Sequence, residues 1–225
     1  MGVKAGLAVA AEALIFGALL LGAAGTLVWP AAWVYLGLFF GGAGWITAEL
    51  ARNDPALLAE RMRSPMQKDQ PWWDKILLAA MFAAFVGWLV LMGLDAERFR
   101  WSAVPLWLQC VGGASLPLSF WMIGCVYREN PFLAAVVKIQ KERGHRVIST
   151  GPYALVRHPL YAAALILLPG SALLLGSWYG LAGACVLDGG IAVRAAMEDR
   201  ELQRGLEGYA EYAARVRYRL IPLVW

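Results

Sequence analysis

Long apolar segments alternate with shorter polar ones along most of this chain. Six apolar segments stand out, at 5–28, 31–50, 76–94, 104–126, 159–176 and 178–196. A helix that crosses a lipid bilayer needs about 20 mostly apolar residues, with a range of roughly 17–25. Open sheets cannot span lipid, because their edge backbone groups would stay unpaired. The pattern therefore predicts an all-α, polytopic integral membrane bundle with about six transmembrane helices.

The composition favours a membrane protein over a soluble one. Of the 225 residues, 60% are hydrophobic and 16% are charged, whereas a soluble domain averages roughly 45–50% apolar and about 25% charged residues. The net charge of +4 fits cytoplasmic loops that are rich in Lys and Arg. No patch combines basic and aromatic residues in the way that nucleic-acid-binding surfaces do. We therefore expect membrane lipids, and no nucleic acid, among the partners.

Positive charge falls almost entirely on one side of the predicted membrane. If the N-terminus, the 51–75 loop, the 127–158 loop and the tail share one side, that side holds 18 of the 20 Lys and Arg residues. The opposite loops hold only Arg98 and Arg100. Such an excess marks the cytoplasmic side. The sequence therefore predicts that both termini lie in the cytoplasm.

The chain divides into two parts at the end of the fourth apolar segment. Residues 1–126 hold four predicted spans and the 51–75 loop. In that loop, Asp54 as N-cap and Pro55 at the first helical position predict an amphipathic helix at the membrane interface. Residues 127–225 hold a helical hairpin, a cytoplasmic tail and most of the candidate chemistry.

A metal site is not expected. The three cysteines, Cys110, Cys125 and Cys185, each lie inside an apolar segment and lack the spacing of metal ligands. The chain has only two histidines, with no Cys or carboxylate cluster beside them. Small buried residues are the ordinary interpretation of such cysteines.

Polar residues gather where the fifth apolar segment begins. From Gly151 to Tyr161 the chain reads Gly-Pro-Tyr-Ala-Leu-Val-Arg-His-Pro-Leu-Tyr, and His145 precedes this stretch. Pro159 suits the first turn of a helix, and the N-terminus of a helix favours a small anionic or zwitterionic ligand. The stretch predicts a cytoplasmic ligand site. A second interpretation is an interfacial one, in which Arg157 reaches lipid headgroups and the tyrosines form an aromatic belt.

A second polar pair, Arg194 and Glu198, ends the next apolar segment. Residues four apart lie on one face of a helix, so we expect the two side chains to meet. The pair serves either as part of the ligand site or as an ordinary ion pair on a helix.

The order of these motifs resembles the isoprenylcysteine carboxyl methyltransferase family, whose wider group includes phospholipid methyltransferases. The likeness covers about 140–225. Its motifs are His145-x-Val-Ile, Gly151-x-Tyr153, Arg157-His-Pro-x-Tyr161 and Arg194-x-x-x-Glu198. Members of the family are integral membrane enzymes that use S-adenosylmethionine without a Rossmann domain. The absence of a GxGxxG motif in this chain fits that description.

The resemblance implies S-adenosylmethionine as the cofactor. The residues that it implies for cofactor binding are Gln140, His145, Arg146, Val147, Ile148, Tyr153, His158, Pro159, Leu160 and Tyr161. Arg194 and Glu198 are implied on the substrate side, and Arg157 completes the set of candidate catalytic residues. Asp199 stands where the family has a second Glu, so Glu198 is preferred over Asp199 as the catalytic acid.

The methyl acceptor stays open between three chemical classes. A carboxylate is already ionised, and Arg194 would orient it with charge-assisted hydrogen bonds. An amine would need to lose a proton, for which Glu198 is the candidate base, and a thiol would need the same help. Because the protein is expected to lie in a membrane, a lipophilic or lipid acceptor is expected. The oligomeric state is open.

Two alternatives belong to other classes of protein. A sterol-reductase-like enzyme would share a similar helical core and bind NADPH. A transporter or scaffold would use the intramembrane acids Glu12 and Asp188, because such acids can mark an ion or proton path.

Overall fold

The computed structural model describes residues 2–225, and these residues form helices and no strands. The helices are α1 (Gly2–Ala24), α2 (Pro30–Asn53), α3 (Pro55–Arg61), α4 (Trp72–Gly93), α5 (Leu106–Glu129), α6 (Pro159–Leu175), α7 (Trp178–Gly205) and α8 (Tyr209–Arg215). A π turn (Leu94–Arg98) continues α4, and short 3₁₀ turns form at Lys141–Arg143 and Gly151–Ala154. The predicted all-α class is confirmed.

Among the described residues, five helices are long and apolar enough to cross a membrane. They are α1, α2, α5, α7, and α4 together with its π turn. This confirms a helical membrane bundle, and five of the six predicted spans reach this length. The exception is α6, which has 17 residues and so extends only about 25 Å, against about 30 Å for the hydrocarbon core of a bilayer.

Helix α4 contacts α7 near both of its ends, which defines two ends of the bundle. At one end the Asp74 carboxylate of α4 lies 2.8 Å from Arg194 Nε of α7. At the other end the buried Asp95 of the π turn accepts a 2.5 Å hydrogen bond from the hydroxyl of Ser177. Ser177 also caps α7 by accepting from the Gly180 N–H at 2.7 Å. This cap sets where α7 begins.

A tight hairpin joins α6 to α7. Gly176 ends α6 with a φ of +83°, a left-handed conformation that glycine adopts without a steric penalty. The next residue, Ser177, is the one that bonds to Asp95. Helix α6 therefore runs between the same two ends of the bundle as its longer neighbours, despite its length.

Helix α3 forms where the sequence predicts it. The Asp54 side chain accepts a 2.9 Å hydrogen bond from the Leu57 N–H, and Pro55 is the first helical residue. Leu57 and Leu58 are buried and pack with apolar side chains of α2 and α5. These contacts place α3 against the bundle at the end where α4 begins.

The two predicted parts of the chain share one core. Leu20, Leu89 and Leu116 from the first part are buried in the same cluster as Leu175 and Leu187 from the second. The predicted boundary at 126 falls inside α5, which ends at Glu129. The second part is therefore packed into the bundle that the first part builds.

Candidate functional site

A cavity lies at the end of the bundle where α4 and α6 begin. Its empty volume, counted with its open mouth, is about 900 Å³. All the residues predicted for the site line it, except Gln140. They are His145, Arg146, Val147, Ile148, Tyr153, Arg157, His158, Pro159, Leu160, Tyr161, Arg194 and Glu198.

Gln140 lies behind the cavity wall instead. Its side chain is buried, where Nε2 donates to the Phe132 carbonyl at 2.6 Å and Oε1 accepts from Arg143 Nη1 at 2.6 Å. These bonds cross-link the loop after α5. The structure does not bring Gln140 to the lining of the cavity, and it supports that wall from behind.

His145 presents an aromatic face and a neutral imidazole to the cavity. Its ring stacks on Phe132, with the ring centroids 4.7 Å apart. Its Nδ1 accepts a hydrogen bond from the Gln140 N–H at 3.3 Å, which requires Nδ1 to be unprotonated. Burial lowers the pKa of His145, while the nearby Glu198 opposes this shift. At neutral pH the ring therefore carries its single proton on Nε2.

Asp199 is the centre of charge beneath the cavity, although the sequence ranked it below Glu198. The side chain is buried, and Oδ1 lies 2.9 Å from His158 Nε2 and accepts from the Tyr209 hydroxyl at 2.6 Å. Its Oδ2 lies 2.8 Å from Arg157 Nη2 and 2.7 Å from Arg219 Nε. These partners come from three separate places in the chain, so Asp199, itself on α7, joins the start of α6, α8 and the tail.

Arg157 clamps the tail from inside the cavity wall. Its Nη1 donates to the carbonyls of Ala213 and Val216, each at 3.2 Å, besides the ion pair with Asp199. The backbone N–H of Arg157 donates to the Tyr218 carbonyl at 2.9 Å. Most of its donors are thus engaged within the protein. Its assignment as a catalytic residue stays a prediction.

Two tyrosines of this region are held as hydrogen-bond donors or acceptors in their neutral form. Burial raises the pKa of Tyr153, whose hydroxyl accepts from Asn130 Nδ2 at 2.8 Å. Burial and the Asp199 carboxylate raise the pKa of Tyr209. Tyr212 in turn donates to the Tyr153 carbonyl at 2.7 Å, so α8 supports the turn that carries Tyr153.

The predicted direct meeting of Arg194 and Glu198 is not what the structure shows. Tyr161 lies between them: its hydroxyl accepts from Arg194 Nη1 at 2.7 Å and donates to Glu198 Oε2 at 2.7 Å. Both side chains do lie on the cavity face of α7, as the four-residue spacing requires. The Arg194 guanidinium is turned towards α4, where Asp74 binds it.

Asp74 is a site residue that sequence reasoning missed. It is fully buried and accepts hydrogen bonds from Gln70 Nε2 at 2.8 Å and from the Val137 N–H at 3.0 Å, in addition to Arg194. In the sequence it stands 120 residues before Arg194, at the edge of the 51–75 loop. The only available signal was an acid at the start of an apolar helix.

The 51–75 segment also contributes to the cavity wall. Arg61 of α3 lines the cavity; its guanidinium lies 5.1 Å from the ring centroid of Tyr127, and Nη1 donates weakly to the Leu133 carbonyl at 3.4 Å. Lys138 also lines the cavity and pairs with the buried Glu60 of α3. Helix α3 is therefore tied to the loop that follows α5.

The lining fits a ligand that combines opposite charges with a flat apolar group. Within residues 2–225, no carboxylate pairs with the exposed guanidinium of Arg146. Glu198 is the carboxylate that lines the cavity, and its side chain is 24% exposed. His158 and Tyr161 stack at 5.6 Å, which adds aromatic surface. Such groups can hold a carboxylate, a cation and a flat aromatic ring.

In the part of the chain that the structure describes, no group of three or more His, Cys, Asp or Glu side chains could hold a metal ion. Neither a comparison with models of known protein families nor one with curated proteins found a significant match.

Proposed function

We propose that this chain is an integral membrane methyltransferase that uses S-adenosylmethionine and acts on an amphiphilic acceptor. The observation that carries the proposal is the composition of the cavity. Residues chosen from the order of motifs alone, spread from His145 to Glu198, line one cavity at one end of the bundle. A set of unrelated interfacial residues would not be expected to converge in this way.

The groups around the cavity support cofactor binding in distinct ways. The exposed guanidinium of Arg146, which pairs with no carboxylate of residues 2–225, suits a carboxylate. The rings of His158 and Tyr161 offer faces for a cation or a flat base. When bound, the cofactor would supply an electrophilic methyl group. The protein would then hold the donor and acceptor in line and exclude water.

Arg194 and Glu198 would act on the methyl acceptor, and Arg194 has fewer groups left to bind it. Arg194 donates from Nε and Nη2 to Asp74, and from Nη2 to the Ala135 carbonyl at 3.1 Å. Only Nη1, which also donates to Tyr161, keeps an N–H for an acceptor carboxylate. Glu198 could take a proton from an amine or a thiol. Carboxylate, amine and thiol acceptors therefore all stay within the proposal.

We place the cavity and both termini on the cytoplasmic side. The support is the Lys and Arg distribution, which puts all but Arg98 and Arg100 on one side. A soluble cofactor would enter from that side. The apolar part of the lining, including Leu133, Leu160 and Leu202, suits the lipophilic part of an acceptor.

Binding of S-adenosylhomocysteine to protein in nanodiscs, measured by calorimetry, tests the proposal. We expect micromolar affinity in the wild type and about tenfold weaker binding in His145→Ala, since loss of one good contact is worth roughly 1.4 kcal/mol. Lys141→Ala is the matched control, because Lys141 is exposed nearby and does not line the cavity.

Absence of binding by protein that still unfolds cooperatively would overturn the methyltransferase proposal. NADPH titrated into the same sample separates it from a reductase. A reductase would bind NADPH and not S-adenosylhomocysteine, and the proposed enzyme would show the reverse.

A further inference from the structure

Two carboxylates compete for one guanidinium in this fold. Arg194 and Glu198 stand four residues apart on α7, a spacing at which opposite charges pair on an isolated helix. In the folded protein Asp74 of α4 takes the guanidinium instead, with Oδ1 2.8 Å from Nε and Oδ2 3.4 Å from Nη2. Glu198 instead accepts a hydrogen bond from the Tyr161 hydroxyl.

Burial explains why Asp74 wins this competition. The Asp74 side chain is fully buried, whereas that of Glu198 is 24% exposed. Opposite charges attract more strongly where water is excluded, because the effective dielectric constant is lower there. Hydrogen bonds from Gln70 Nε2 and the Val137 N–H also hold the Asp74 carboxylate. Its orientation towards Arg194 is therefore fixed by more than the ion pair.

We propose that Asp74 is a positioning residue, which keeps Glu198 open to the cavity by holding Arg194 away from it. With Arg194 held, the Tyr161 hydroxyl has one orientation: it accepts from Arg194 and donates to Glu198 Oε2. Within residues 2–225, Glu198 Oε1 has no hydrogen-bond partner, and Glu198 lines the cavity. Removal of Asp74 would let Arg194 turn and pair directly with Glu198, which would close that carboxylate to any ligand.

A thermal double-mutant cycle tests the competition without any assumption about the reaction. We expect Glu198→Gln to lower the Tm more in the Asp74→Asn background than in the wild type, by about 4 °C, because the new background leaves Glu198 as the partner of a buried charge. An equal fall in both backgrounds would overturn the proposal, since Asp74 would then be a structural residue that does not influence Glu198.

Asp95→Asn supplies the matched control for this cycle. Asp95 is as fully buried as Asp74 and lies in the π turn that continues α4, at the opposite end of the bundle. Its replacement also turns a fully buried carboxylate into an amide, and the Tm fall caused by Glu198→Gln should be the same with or without it. A larger fall in this background too would assign the effect to general destabilisation and overturn the proposal.

A measurement on Arg194 itself covers the case in which Asp74→Asn does not fold. In protein labelled with ¹⁵N-arginine, the Nε proton of Arg194 should exchange slowly with solvent both in the wild type and in Glu198→Gln, because Asp74 holds it. Fast exchange in Glu198→Gln would show that Glu198 holds the guanidinium and would overturn the proposal.

The consequence for turnover rests on the proposed function. In Asp74→Asn, we expect kcat for methyl transfer to fall about as far as in Glu198→Gln, with KM for S-adenosylmethionine changed less than about threefold. The double variant should lose little more than either single one. If the wild type transfers no methyl group, the proposed function fails, while the thermal cycle still decides whether Asp74 diverts Arg194.

Discussion

Nε2 of His158 lies 2.9 Å from Oδ1 of Asp199, and this contact joins the start of α6 to α7 under the cavity. His158 precedes the first residue of α6, where a histidine could have capped the helix, yet its side chain makes no capping bond. The carboxylate holds the ring by Nε2, which leaves Nδ1 facing Glu198 Oε2 at 4.0 Å. The orientation of the cavity's central histidine is therefore set from α7.

Replacing Asp199 by Asn should destabilise the protein strongly. The substitution leaves Arg157 without the carboxylate that compensates its buried charge, and it weakens the bonds to His158 and Tyr209. Loss of one partner of a buried ion pair costs about 3–5 kcal/mol. The free energy of unfolding, measured by denaturant titration in detergent, checks this.

Glu201→Gln is the control for Asp199→Asn, because Glu201 lies two residues along α7, is 35% exposed and pairs loosely with Arg204 at 3.9 Å. A change within about 0.5 kcal/mol is expected there. If Asp199→Asn changed the stability no more than this control, Asp199 would not be the centre of charge described above.

Stability should fall as the solution is acidified through the titration range of His145. Burial lowers the pKa of this imidazole in the folded protein below its ordinary value of about 6.5. Between this lowered pKa and the ordinary value, the unfolded chain binds more protons than the folded one. The free energy of unfolding therefore increases with pH across this interval and decreases as the solution is acidified. Thermal unfolding of wild type and His145→Gln across this range isolates the contribution. Parallel pH profiles for the two proteins would contradict it.

Arg61 should contribute to ligand recognition from the first part of the chain. It lines the cavity, and its guanidinium contacts the Tyr127 ring rather than a carboxylate. If the proposed function holds, we expect Arg61→Gln to lower kcat/KM for the methyl acceptor about tenfold, as loss of one charged contact worth about 1.4 kcal/mol would. Arg63→Gln is the control, since Arg63 is 60% exposed and pairs with Glu60. Equal activity of both variants would place Arg61 outside the recognition site.

Cysteine labelling should locate the two ends of the bundle relative to the membrane. The three native cysteines are free and would first be replaced by Ala. A membrane-impermeant maleimide should then label Phe99→Cys in intact cells, because Phe99 is exposed beside Arg100. It should label Lys141→Cys only after the cells are permeabilised. The reverse pattern would put the cavity outside the cytoplasm.

Local features of the helices could be predicted from the sequence. Asp54 and Pro55 predict the start of α3, and Pro159 predicts that of α6. These signals can be read from the sequence because caps and first-turn prolines act over only three or four residues. The membrane helices could also be located from the sequence, because the length of an apolar segment is a property of consecutive residues. The exception is α6, which at 17 residues lies at the lower limit of the range, so length alone did not settle its crossing.

About half of the residues that line the cavity were predicted from the sequence, while their partners were decided by the tertiary structure. The order of motifs from His145 to Glu198 selected residues that line one cavity, with Gln140 as the exception. Nothing local to Arg194 indicates that a carboxylate 120 residues away will bind it in preference to Glu198. The choice depends on burial, which only the packing of α4 against α7 creates. Burial likewise made Asp199 the shared centre of charge, because the interior strengthens the bonds that converge on it.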